Sequence, residues 1–371
     1  MNQDAMNIFY YKKEQLIEQI MALPFSLPAV ILSEGGAARW GLSAYLADMK
    51  QKGKLLWVSQ VDPNPTQNTL LQTRNAVQGF PVDGIIAIGG GSTIDLAKSI
   101  SAFHLLPDKE SPDLLVQGIV NKCYLANENN ALPIVAVPTT AGSGSEVTQW
   151  ATLWDANRSS RYSLDAPWLK PSQVWIVPQL IASMPPRLAL ATGLDAACHA
   201  TEAYWAKAST PISKALAICA LQILTSTLKP YLANMQDDVL CEKLCTGSLL
   251  AGLAFSTTRT TACHSISYPL TYMFGIEHGF AVALTLDQVA NLNRTVCDLS
   301  EIFEVFSPYN GIQSWIDSVC AGIVDLRLQT FGVKKENIDI LAANSITLGR
   351  ADNNPAELTV AEAKEILLNV Y

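Results

Sequence analysis

The first half of this 371-residue chain alternates short apolar runs with amphipathic stretches. The apolar runs are LPAVILS, KLLWVS, GIIAIGGG and LPIVAVPTT, and the stretches between them include AYLADMKQK and NTLLQTRNAVQ. Apolar runs of about four to eight residues, separated by helical stretches, are typical of a parallel sheet that is covered on both faces. We therefore predict an α/β domain built on a parallel sheet in this half.

The pattern changes near residue 180. Beyond that point the chain shows long helical segments, such as PISKALAICALQILTSTLKPYLA and VLCEKLCTGSLLAGLAF, and few strand signals. Pro178, Pro185 and Pro186 interrupt regular structure where the change occurs. The length also favours two cores over one. We predict an α/β domain over residues 1–180 and an all-α domain over residues 181–371.

A glycine run follows one of the predicted strands. In GIIAIGGGSTIDLAK, Gly89, Gly90, Gly91 and Ser92 stand between the strand and a helix that continues through Asp95. Glycine allows a ligand to approach the backbone closely, and the N–H groups at a helix start attract phosphate. The run lacks the GxGxxG spacing, so a simple tight turn is the alternative for this motif taken alone.

A second turn of the same kind follows the next predicted strand. In PTTAGSGSEVT, the strand ends in Thr139 and Thr140, and Ser143 follows between two glycines. Ligands of open α/β sheets bind at the carboxyl edge of the strands, where both turns should open. The two turns together indicate a nucleotide site.

Three of the four histidines form one arrangement with an aspartate. Asp195 and His199 are four residues apart in TGLDAACHATEAYWAK, so a helix would place them on one face. His264 and His278 each stand beside apolar sequence, whereas His104 stands apart. A single histidine in such a setting is usually a core residue, but three with an aspartate indicate one metal site. These ligands suit Fe(II) or Zn(II) better than calcium or magnesium.

Composition excludes several classes of partner. The formal net charge of -8 and the pI near 5.1 argue against nucleic acid and against an anionic membrane surface, because both require extended positive patches. We expect no membrane span, because no apolar run approaches about 18 residues, and the first residues lack the apolar core of a signal peptide. Eight cysteines without a CxxC pair are typical of reduced thiols. We expect a cytoplasmic protein.

The chain resembles the iron-containing (group III) alcohol dehydrogenases over almost its full length. The motifs that carry the resemblance are, in order, ILSEGGAARWGLSAYL, GGGSTIDLAK, PTTAGSGSEVT, TGLDAACHATEAYW and NNPAELTVAEAKEIL. The resemblance implies an N-terminal Rossmann-like domain, an all-α C-terminal domain and a catalytic divalent metal in the cleft. Asp195, His199, His264 and His278 match the family's four metal ligands one for one.

The resemblance also implies a nicotinamide cofactor, NAD(H) or NADP(H), and a homo-oligomer such as a dimer. Arg161, in RSSRYSL, stands where family members often carry a lysine that contacts the cofactor. The residues expected to contact the cofactor are Gly89, Gly90, Gly91, Ser92, Asp95, Thr139, Thr140, Ser143 and Arg161.

Two positions depart from the family pattern. Members often carry a second histidine four residues after the third ligand, implicated in proton transfer, where this chain has Tyr268. The tyrosine hydroxyl, a water molecule or the cofactor ribose could then supply the proton. Many NAD-preferring members end the first nucleotide-binding strand in aspartate, where this chain has Gln60. Because no carboxylate is present there to repel a 2′-phosphate, the cofactor can be NADP(H) as well as NAD(H).

A narrower likeness, carried by TTAGSGSEVTQWATLWD, RYSL and HSISYPLT, is to phosphonoacetaldehyde reductases, which form 2-hydroxyethylphosphonate in phosphonate biosynthesis. Arg259, in AFSTTRTTACH, supplies a cation that could meet the substrate anion. Capping a helix or facing solvent is the alternative for this arginine. Trp150, Phe255 and Tyr268 are candidate pocket residues, or else aromatic residues that fill a core.

The predicted reaction is hydride transfer from a nicotinamide to an aldehyde whose oxygen the metal polarises. A short uncharged aldehyde of the butanol or lactaldehyde type is an alternative substrate. Three other classes stay open on the sequence alone. A dehydroquinate-synthase-like lyase would show no net consumption of NAD(P)H, a metal-dependent hydrolase would bind no nicotinamide, and a non-catalytic nucleotide-binding protein would show no redox turnover.

Overall fold

A computed structural model describes residues 6–105, 111–155 and 161–371. The chain divides by its internal contacts into two compact units. The first unit comprises the chain up to Thr140 together with Ser145–Ser183, and the second comprises Ala141–Gly144 together with Met184–Tyr371.

A parallel sheet forms the centre of the first unit. The described strands are β1 (Asn7–Tyr10), β2 (Pro28–Ile31), β3 (Leu56–Val58), β4 (Gly84–Gly89), β5 (Ile134–Pro138), β6 (Trp150–Trp154), β7 (Arg161–Asp165) and β8 (Gln173–Ile176). Six of them form one sheet in the order β1-β8-β5-β4-β2-β3, with parallel pairing throughout. The other two, β6 and β7, form an antiparallel pair.

Helices pack on this sheet because successive residues of a strand face opposite sides. In β4, Ile85 and Ala87 contribute to one hydrophobic cluster, and Ile86 and Ile88 to another. The helices of the first unit are α1 (Leu16–Ala22), α2 (Glu34–Arg39), α3 (Ser43–Gln51), α4 (Gln67–Val77), α5 (Gly91–Phe103) and α6 (Pro112–Val120). The predicted parallel sheet with buried apolar strands is confirmed.

The two glycine turns follow neighbouring strands. The last residue of β4, Gly89, pairs with the last residue of β5, Pro138. The backbone N–H of Thr139 donates a hydrogen bond of 3.0 Å to the Gly89 carbonyl oxygen. Both turns therefore open at the same carboxyl edge of the sheet, as predicted.

The second unit is helical. Its helices are α7 (Pro186–Trp205), α8 (Pro211–Ala233), α9 (Asp238–Thr258), α10 (Ala262–Phe274), α11 (His278–Ala283), α12 (Leu286–Asn293), α13 (Ser300–Phe306), α14 (Ile312–Cys320), α15 (Ile338–Asn344) and α16 (Val360–Asn369). Residues 184–371 are described throughout and contain no strand. The α7, α8 and α9 helices pack against one another, with α11 against α7. The predicted fold class, a parallel-sheet part followed by an all-α part, is confirmed.

Two helices of this unit, α8 and α9, are long and apolar enough by length and composition to cross a membrane. Their most apolar 18-residue windows have mean hydropathies of 1.4 and 1.3. The two helices do not appear as long apolar runs in the sequence, because polar residues such as Gln222 in α8 interrupt them. Of the two windows, 44% and 56% are buried inside the structure, and the core helices of globular proteins pass the same test, so α8 and α9 indicate a membrane span only weakly.

Candidate functional site

Helix α7 places Asp195 and His199 one turn apart. The helix is rich in alanine and both side chains are buried, with exposed fractions of 7% and 5%. The His199 ring stacks on the ring of Phe255, with centroids 4.1 Å apart and planes inclined by 10°. The spacing of four residues thus produces the predicted common face.

A glycine allows α11 to approach α7. A Cβ atom on Gly279 would lie 1.9 Å from the carbonyl oxygen of Ala191, so no side chain fits there. Gly279 directly follows His278, the first residue of α11. The close approach brings His278 beside the aspartate, with Nε2 4.0 Å from Asp195 Oδ1.

His264 lies in the first turn of α10 and is only 3% exposed. Its Nε2 atom is 3.5 Å from Asp195 Oδ1 and 3.0 Å from His199 Nε2. The same Asp195 oxygen is 3.8 Å from His199 Nε2. The structure therefore brings together all four side chains that the sequence predicts as metal ligands, hereafter the Asp195 cluster (Asp195, His199, His264 and His278).

Asp195 Oδ1 distinguishes this cluster from an ordinary polar core. The atom is buried and, within residues 6–105, 111–155 and 161–371, has no hydrogen-bond partner. Its imidazole neighbours lie at 3.5 to 4.0 Å, which is too long for good hydrogen bonds. A buried carboxylate oxygen without a partner is costly. A cation between the oxygen and the three nitrogens would remove that cost.

The other ring nitrogens of two histidines contact acceptors. His199 Nδ1 lies 3.1 Å from the carbonyl oxygen of Gly142, and His264 Nδ1 donates to the carboxylate of Glu202. Each acceptor favours a proton on Nδ1 and leaves the lone pair of Nε2 directed into the cluster. Two such lone pairs 3.0 Å apart repel each other unless a proton or a metal ion lies nearby.

Glu202 contacts His264 directly, and the sequence patterns do not single it out. It is fully buried, and besides His264 Nδ1 it accepts from Thr261 Oγ1 at 2.8 Å and from the backbone N–H of Cys263 at 2.7 Å. Burial opposes its ionisation, but the contacts with His264 prevail and lower the pKa of Glu202. The available signal is a carboxylate three residues after His199 in a largely apolar helix.

The pKa values of His199 and His264 shift in opposite directions. Burial disfavours the imidazolium form and lowers the pKa of His199 to about 4. Burial also disfavours the imidazolium form of His264, but the carboxylates of Glu202 and Asp195 raise its pKa to about 10. For Asp195, burial is again opposed by the histidines, which bring its pKa well below the usual range. The aspartate is therefore ionised, as a metal ligand must be.

This donor set fits a divalent transition-metal ion. It offers three imidazole nitrogens and a carboxylate oxygen from three helices, and outer acceptors orient two of the imidazoles. Both Fe(II) and Zn(II) accept such ligands, whereas calcium and magnesium prefer sites made of oxygen atoms.

The first glycine turn leads directly into α5. Gly90 precedes the helix, and a Cβ atom on Gly89 would lie 2.1 Å from Thr93 Oγ1, so this turn requires glycine. The Ser92 hydroxyl accepts a hydrogen bond of 3.1 Å from the backbone N–H of Asn64. The positive end of the helix dipole thus lies at the carboxyl edge of the sheet, where phosphate groups bind in such folds.

The second glycine turn is divided between the two units. Thr139 and Thr140 belong to the first unit, and Ala141–Gly144, which includes Ser143, belongs to the second. Gly144 adopts a φ of +61°, a conformation that favours glycine.

Asp95, predicted at the cofactor, lies inside the first unit. Its carboxylate accepts from Ser145 Oγ at 2.5 Å and from the backbone N–H of Thr152 at 2.9 Å. Burial raises the pKa of Asp95, while Lys98 and these hydrogen bonds oppose the shift. Asp95 therefore ties α5 to the chain that follows the second glycine turn.

Lys98 is a buried cation that sequence reasoning missed. Its Nζ atom donates to the carbonyl oxygens of Ser145 and Trp150 at 2.6 and 2.7 Å, and to the hydroxyls of Ser145 and Thr148 at 3.2 and 3.3 Å. Burial lowers its pKa to about 8, although nearby carboxylates oppose the shift. We call this group the Lys98 cluster; its members are Asp95, Lys98, Ser145, Glu146, Thr148 and Thr152.

Trp150 and Arg161 lie in the antiparallel pair of the first unit. Trp150 begins β6 opposite Asp165, and Arg161 begins β7 opposite Trp154. Both side chains are half-buried. The structure thus places both predicted site residues on one small β-ribbon.

The remaining predicted residues belong to the second unit. Phe255 stacks on the ring of His199, and Tyr268 lies with its ring parallel to that of His278, at a centroid distance of 6.2 Å. Tyr268 is 7% exposed. Arg259 follows the end of α9 with a φ of +63°, and its exposed side chain lines a surface cavity of about 360 Å³.

A parallel-sheet unit with two glycine turns and a helical unit with a buried aspartate–histidine cluster are the parts of a metal-dependent, nucleotide-dependent oxidoreductase. Comparison with known proteins makes this class specific. The model of iron-containing alcohol dehydrogenases matches residues 10–178, and the model of the C-terminal part of that family matches residues 189–371. The chain belongs to the iron-containing alcohol dehydrogenase family.

Related proteins differ in the substrates that their names record. NADPH-dependent butanol dehydrogenase of Clostridium saccharobutylicum is 28% identical, over 98% of this chain and 96% of the relative. Phosphonoacetaldehyde reductase of Streptomyces viridochromogenes is 34% identical, over 63% of this chain and 59% of the relative. The crystal structure of sulfoacetaldehyde reductase from Bifidobacterium kashiwanohense in complex with NAD+ matches with a TM-score of 0.83 at 25% identity, over 100% of this chain and 99% of that chain.

The chain is accordingly an NAD(P)-dependent oxidoreductase that acts on alcohols or aldehydes and uses a metal of the iron type. The family, the enzyme class and the cofactors predicted from the sequence are confirmed.

Proposed function

We propose that this enzyme reduces a short aldehyde that carries an acidic group, with phosphonoacetaldehyde, which would yield 2-hydroxyethylphosphonate, as the first candidate. The observation that carries the proposal is Arg259, a cation in the segment between Phe255, which stacks on His199, and His264. A non-glycine residue at a φ of +63° persists only where its surroundings hold it there, often at functional sites. The names of two similar proteins, acting on phosphonoacetaldehyde and sulfoacetaldehyde, support an acidic aldehyde.

We assign the metal to the Asp195 cluster. A divalent ion bound there supplies Lewis-acid polarisation of the substrate oxygen. The chain supplies the negative charge of Asp195 and the three Nε2 lone pairs. Glu202 and the Gly142 carbonyl oxygen keep two imidazoles in the tautomer that ligation requires.

We assign the nicotinamide cofactor, which supplies the hydride, to the first unit and to the second glycine turn. The start of α5 would meet the pyrophosphate. Gln60, exposed beyond the end of β3, presents no carboxylate to a 2′-phosphate, so both coenzymes are to be tested. The proposed contacts are Gly89, Gly90, Gly91, Ser92, Asp95, Thr139, Thr140, Ser143 and Arg161.

We assign the proton step to Tyr268, because its ring lies parallel to that of His278 and is nearly buried. A tyrosine hydroxyl can donate a proton to the oxygen of the forming alcohol. Phe255, whose ring stacks on that of His199, would exclude water from the Asp195 cluster, and Trp150 is a further candidate residue for contact with the substrate. Tyr268→Phe should lower kcat on the order of 100-fold with unchanged metal content. An unchanged kcat would transfer the role to water or to the cofactor ribose.

A short uncharged aldehyde is the second candidate substrate. It is favoured by the relatives named butanol dehydrogenase and the lactaldehyde reductase of Escherichia coli, which match over most of their length. We further propose that the enzyme works in the cytoplasm as a homo-oligomer, as a dimer in the simplest case. Light scattering of the purified enzyme would test the oligomeric state.

The test is oxidation of NADH and NADPH by anaerobically purified enzyme with phosphonoacetaldehyde, butanal and lactaldehyde. We expect kcat/KM for phosphonoacetaldehyde to exceed that for butanal on the order of 100-fold, because a site built for a polar group rejects substrates that lack it. Arg259→Met should reduce this ratio, and Arg294→Met, a change at an exposed arginine on the same unit, should not. Equal kcat/KM values on the acidic and neutral aldehydes would contradict the proposal.

A further inference from the structure

Arg350 carries a buried guanidinium nitrogen whose hydrogen-bonding capacity is unused. Its Nη1 donates to the carbonyl oxygen of Gly349 at 2.9 Å. Its Nε is buried and meets no hydrogen-bond acceptor among the residues that the structure describes. A guanidinium has several N–H donors in a rigid planar fork, and a buried donor without an acceptor destabilises the protein. A bound anion would remove this cost.

The segment that carries Arg350 is attached to the first turn of α10. Ser265, which directly follows His264, donates through Oγ to the carbonyl oxygen of Ser345. The same Oγ accepts from the backbone N–H of Thr347 at 2.9 Å. Arg350 in turn donates through its backbone N–H to the Thr347 carbonyl oxygen at 3.1 Å. Two hydrogen-bonding steps therefore separate Arg350 from the neighbour of a metal ligand.

A second guanidinium, that of Arg259 at the end of α9, lies near the same glycine. Arg259 Nη1 lies 4.0 Å from the position of a Cβ atom built on Gly349, the residue whose carbonyl oxygen accepts from Arg350. Asn353 Nδ2 donates to the Thr258 carbonyl oxygen at 2.8 Å, which holds the end of α9 against this segment. Two guanidinium groups beside one glycine repel each other less when an anion lies near them.

The cavity beside Gly349 adds a third cation and one carboxylate. Lys207 and Asp352 line it together with Arg259. Asp352 Oδ1 accepts from the backbone N–H of Gly349 at 2.5 Å, and Lys207 Nζ donates to the Asp352 main-chain oxygen at 2.8 Å. Cations thus outnumber carboxylates around Gly349. This excess suits an oxyanion with several acceptor oxygens, such as a phosphonate or a sulfonate.

We propose that Arg350 binds the acidic group of the substrate, with Arg259 as a weaker second contact, and so determines the preference for an acidic aldehyde. The inference rests on the proposed function in one respect, namely that the aldehyde reacts at the Asp195 cluster. Arg350 should contribute more than Arg259, because its nitrogen is buried, whereas water screens the exposed side chain of Arg259.

The experiment compares Arg350→Met, Arg350→Lys and Arg259→Met with wild type on phosphonoacetaldehyde and on propanal, a neutral aldehyde of similar size. Arg350→Met should lower kcat/KM for phosphonoacetaldehyde on the order of 100-fold, mainly through KM, and that for propanal by less than about threefold. Arg350→Lys should recover part of the loss, because it restores the charge without the fork. Arg259→Met should lower kcat/KM for phosphonoacetaldehyde by about fivefold.

Inhibition by methylphosphonate gives an independent readout with propanal as the substrate. Methylphosphonate should inhibit wild type competitively, and its Ki should be at least about tenfold higher for Arg350→Met. The exposed-site variant Arg294→Met should match wild type in both assays. If Arg350→Met does not fold, as judged by thermal melting and metal content, Arg350→Lys must show the intermediate Ki.

The outcomes separate the inference from the proposed function. If wild type and Arg350→Met reduce phosphonoacetaldehyde equally well, the acidic substrate stands and the role of Arg350 is refuted. If wild type reduces propanal only, but methylphosphonate inhibits it through Arg350, the anion site stands and the proposed substrate fails. Equal losses on both aldehydes with unchanged Ki would reduce Arg350 to a structural residue.

Discussion

The Lys98 cluster of the first unit and the Asp195 cluster of the second both bury charged side chains. The charged nitrogen of Lys98 has hydrogen-bond partners, whereas one carboxylate oxygen of Asp195 has none among the described residues. Lys98 Nζ has four oxygen contacts between 2.6 and 3.3 Å. Asp195 Oδ1 has no hydrogen-bond partner in the described chain, and the Nε2 atoms of His199 and His264 lie 3.0 Å apart. A cluster that is complete in itself stabilises the fold, whereas an incomplete one requires an ion.

The largest effect is expected from removing a ligand of the Asp195 cluster. Asp195→Asn and His264→Ala should each abolish tight metal binding and lower kcat/KM on the order of 1000-fold or more, because the ion provides the main electrostatic stabilisation. Metal analysis after anaerobic purification and an NAD(P)H oxidation assay measure the two quantities. The matched control is His104→Ala, a histidine of the first unit whose Nδ1 lies 3.1 Å from the Ser101 carbonyl oxygen. Full turnover by metal-free His264→Ala would show that the cluster is not the catalytic centre.

A smaller effect should follow from Glu202→Gln, which keeps the shape of the side chain but weakens its hold on His264 Nδ1. We expect metal affinity to fall about 10-fold to 100-fold in a chelator competition, with most of kcat recovered at saturating metal. Trp205→Phe serves as the control, because it removes the 2.7 Å hydrogen bond from Trp205 Nε1 to Thr261 Oγ1 and part of a buried ring but leaves the Glu202 carboxylate in place. Unchanged affinity in Glu202→Gln would leave Glu202 with a purely structural role.

Lys98→Met tests whether the Lys98 cluster stabilises the fold without contributing to metal binding. Removing the cation leaves buried oxygens without a donor, so the free energy of unfolding should fall by about 3 kcal/mol. Metal stoichiometry should stay at the wild-type value, because the Asp195 cluster keeps all its donors. Urea unfolding and metal analysis of the same preparation provide the measurement. Loss of metal without loss of stability would reverse the roles that we assign to the two clusters.

The smallest expected effect concerns pH and Glu146. Burial raises the pKa of Glu146 to about 7 from 4.5, although its own backbone N–H and Lys98 oppose the shift. The folded protein therefore binds a proton more tightly than the unfolded chain does. The resulting stabilisation is full below about pH 4.5 and is lost as the pH rises through about 7.

Glu146→Gln should remove this dependence. Relative to the variant, wild type should lose unfolding free energy between about pH 4.5 and about pH 7.5, by at most about 3 kcal/mol. Urea unfolding at the two pH values measures the difference. Parallel pH profiles for the two proteins would mean that Glu146 titrates normally.

Much of the fold could be predicted because buried strands and long helices leave a pattern in the sequence. The strands β2, β4 and β5 coincide with apolar runs, and β4 and β5 are buried throughout. Strand β1 has the sequence NIFY and is largely exposed at the sheet edge, so it has no such signature. Strand β6 alternates half-buried and buried positions, whereas β7 has a single buried residue, and five residues per strand are too few for a clear period.

The proximity of the four side chains of the Asp195 cluster could be predicted from the sequence, but the residues that contact them could not. Histidine is rare in this chain, with four in all, so three beside apolar sequence stand out. Glu202 and Lys98 act through partners about 50 to 60 residues away in sequence, and no local pattern records such contacts. No sequence pattern singles out Arg350 either, because only the structure shows that its buried Nε has no hydrogen-bond acceptor among the described residues.

Anomalous diffraction at the metal absorption edge, from crystals of anaerobically loaded protein, would locate the ion. We predict one peak per chain at about 2.0 to 2.3 Å from an oxygen of Asp195 and from the Nε2 atoms of His199, His264 and His278. A peak elsewhere in the chain, or one that contacts fewer than three of these side chains, would contradict this prediction.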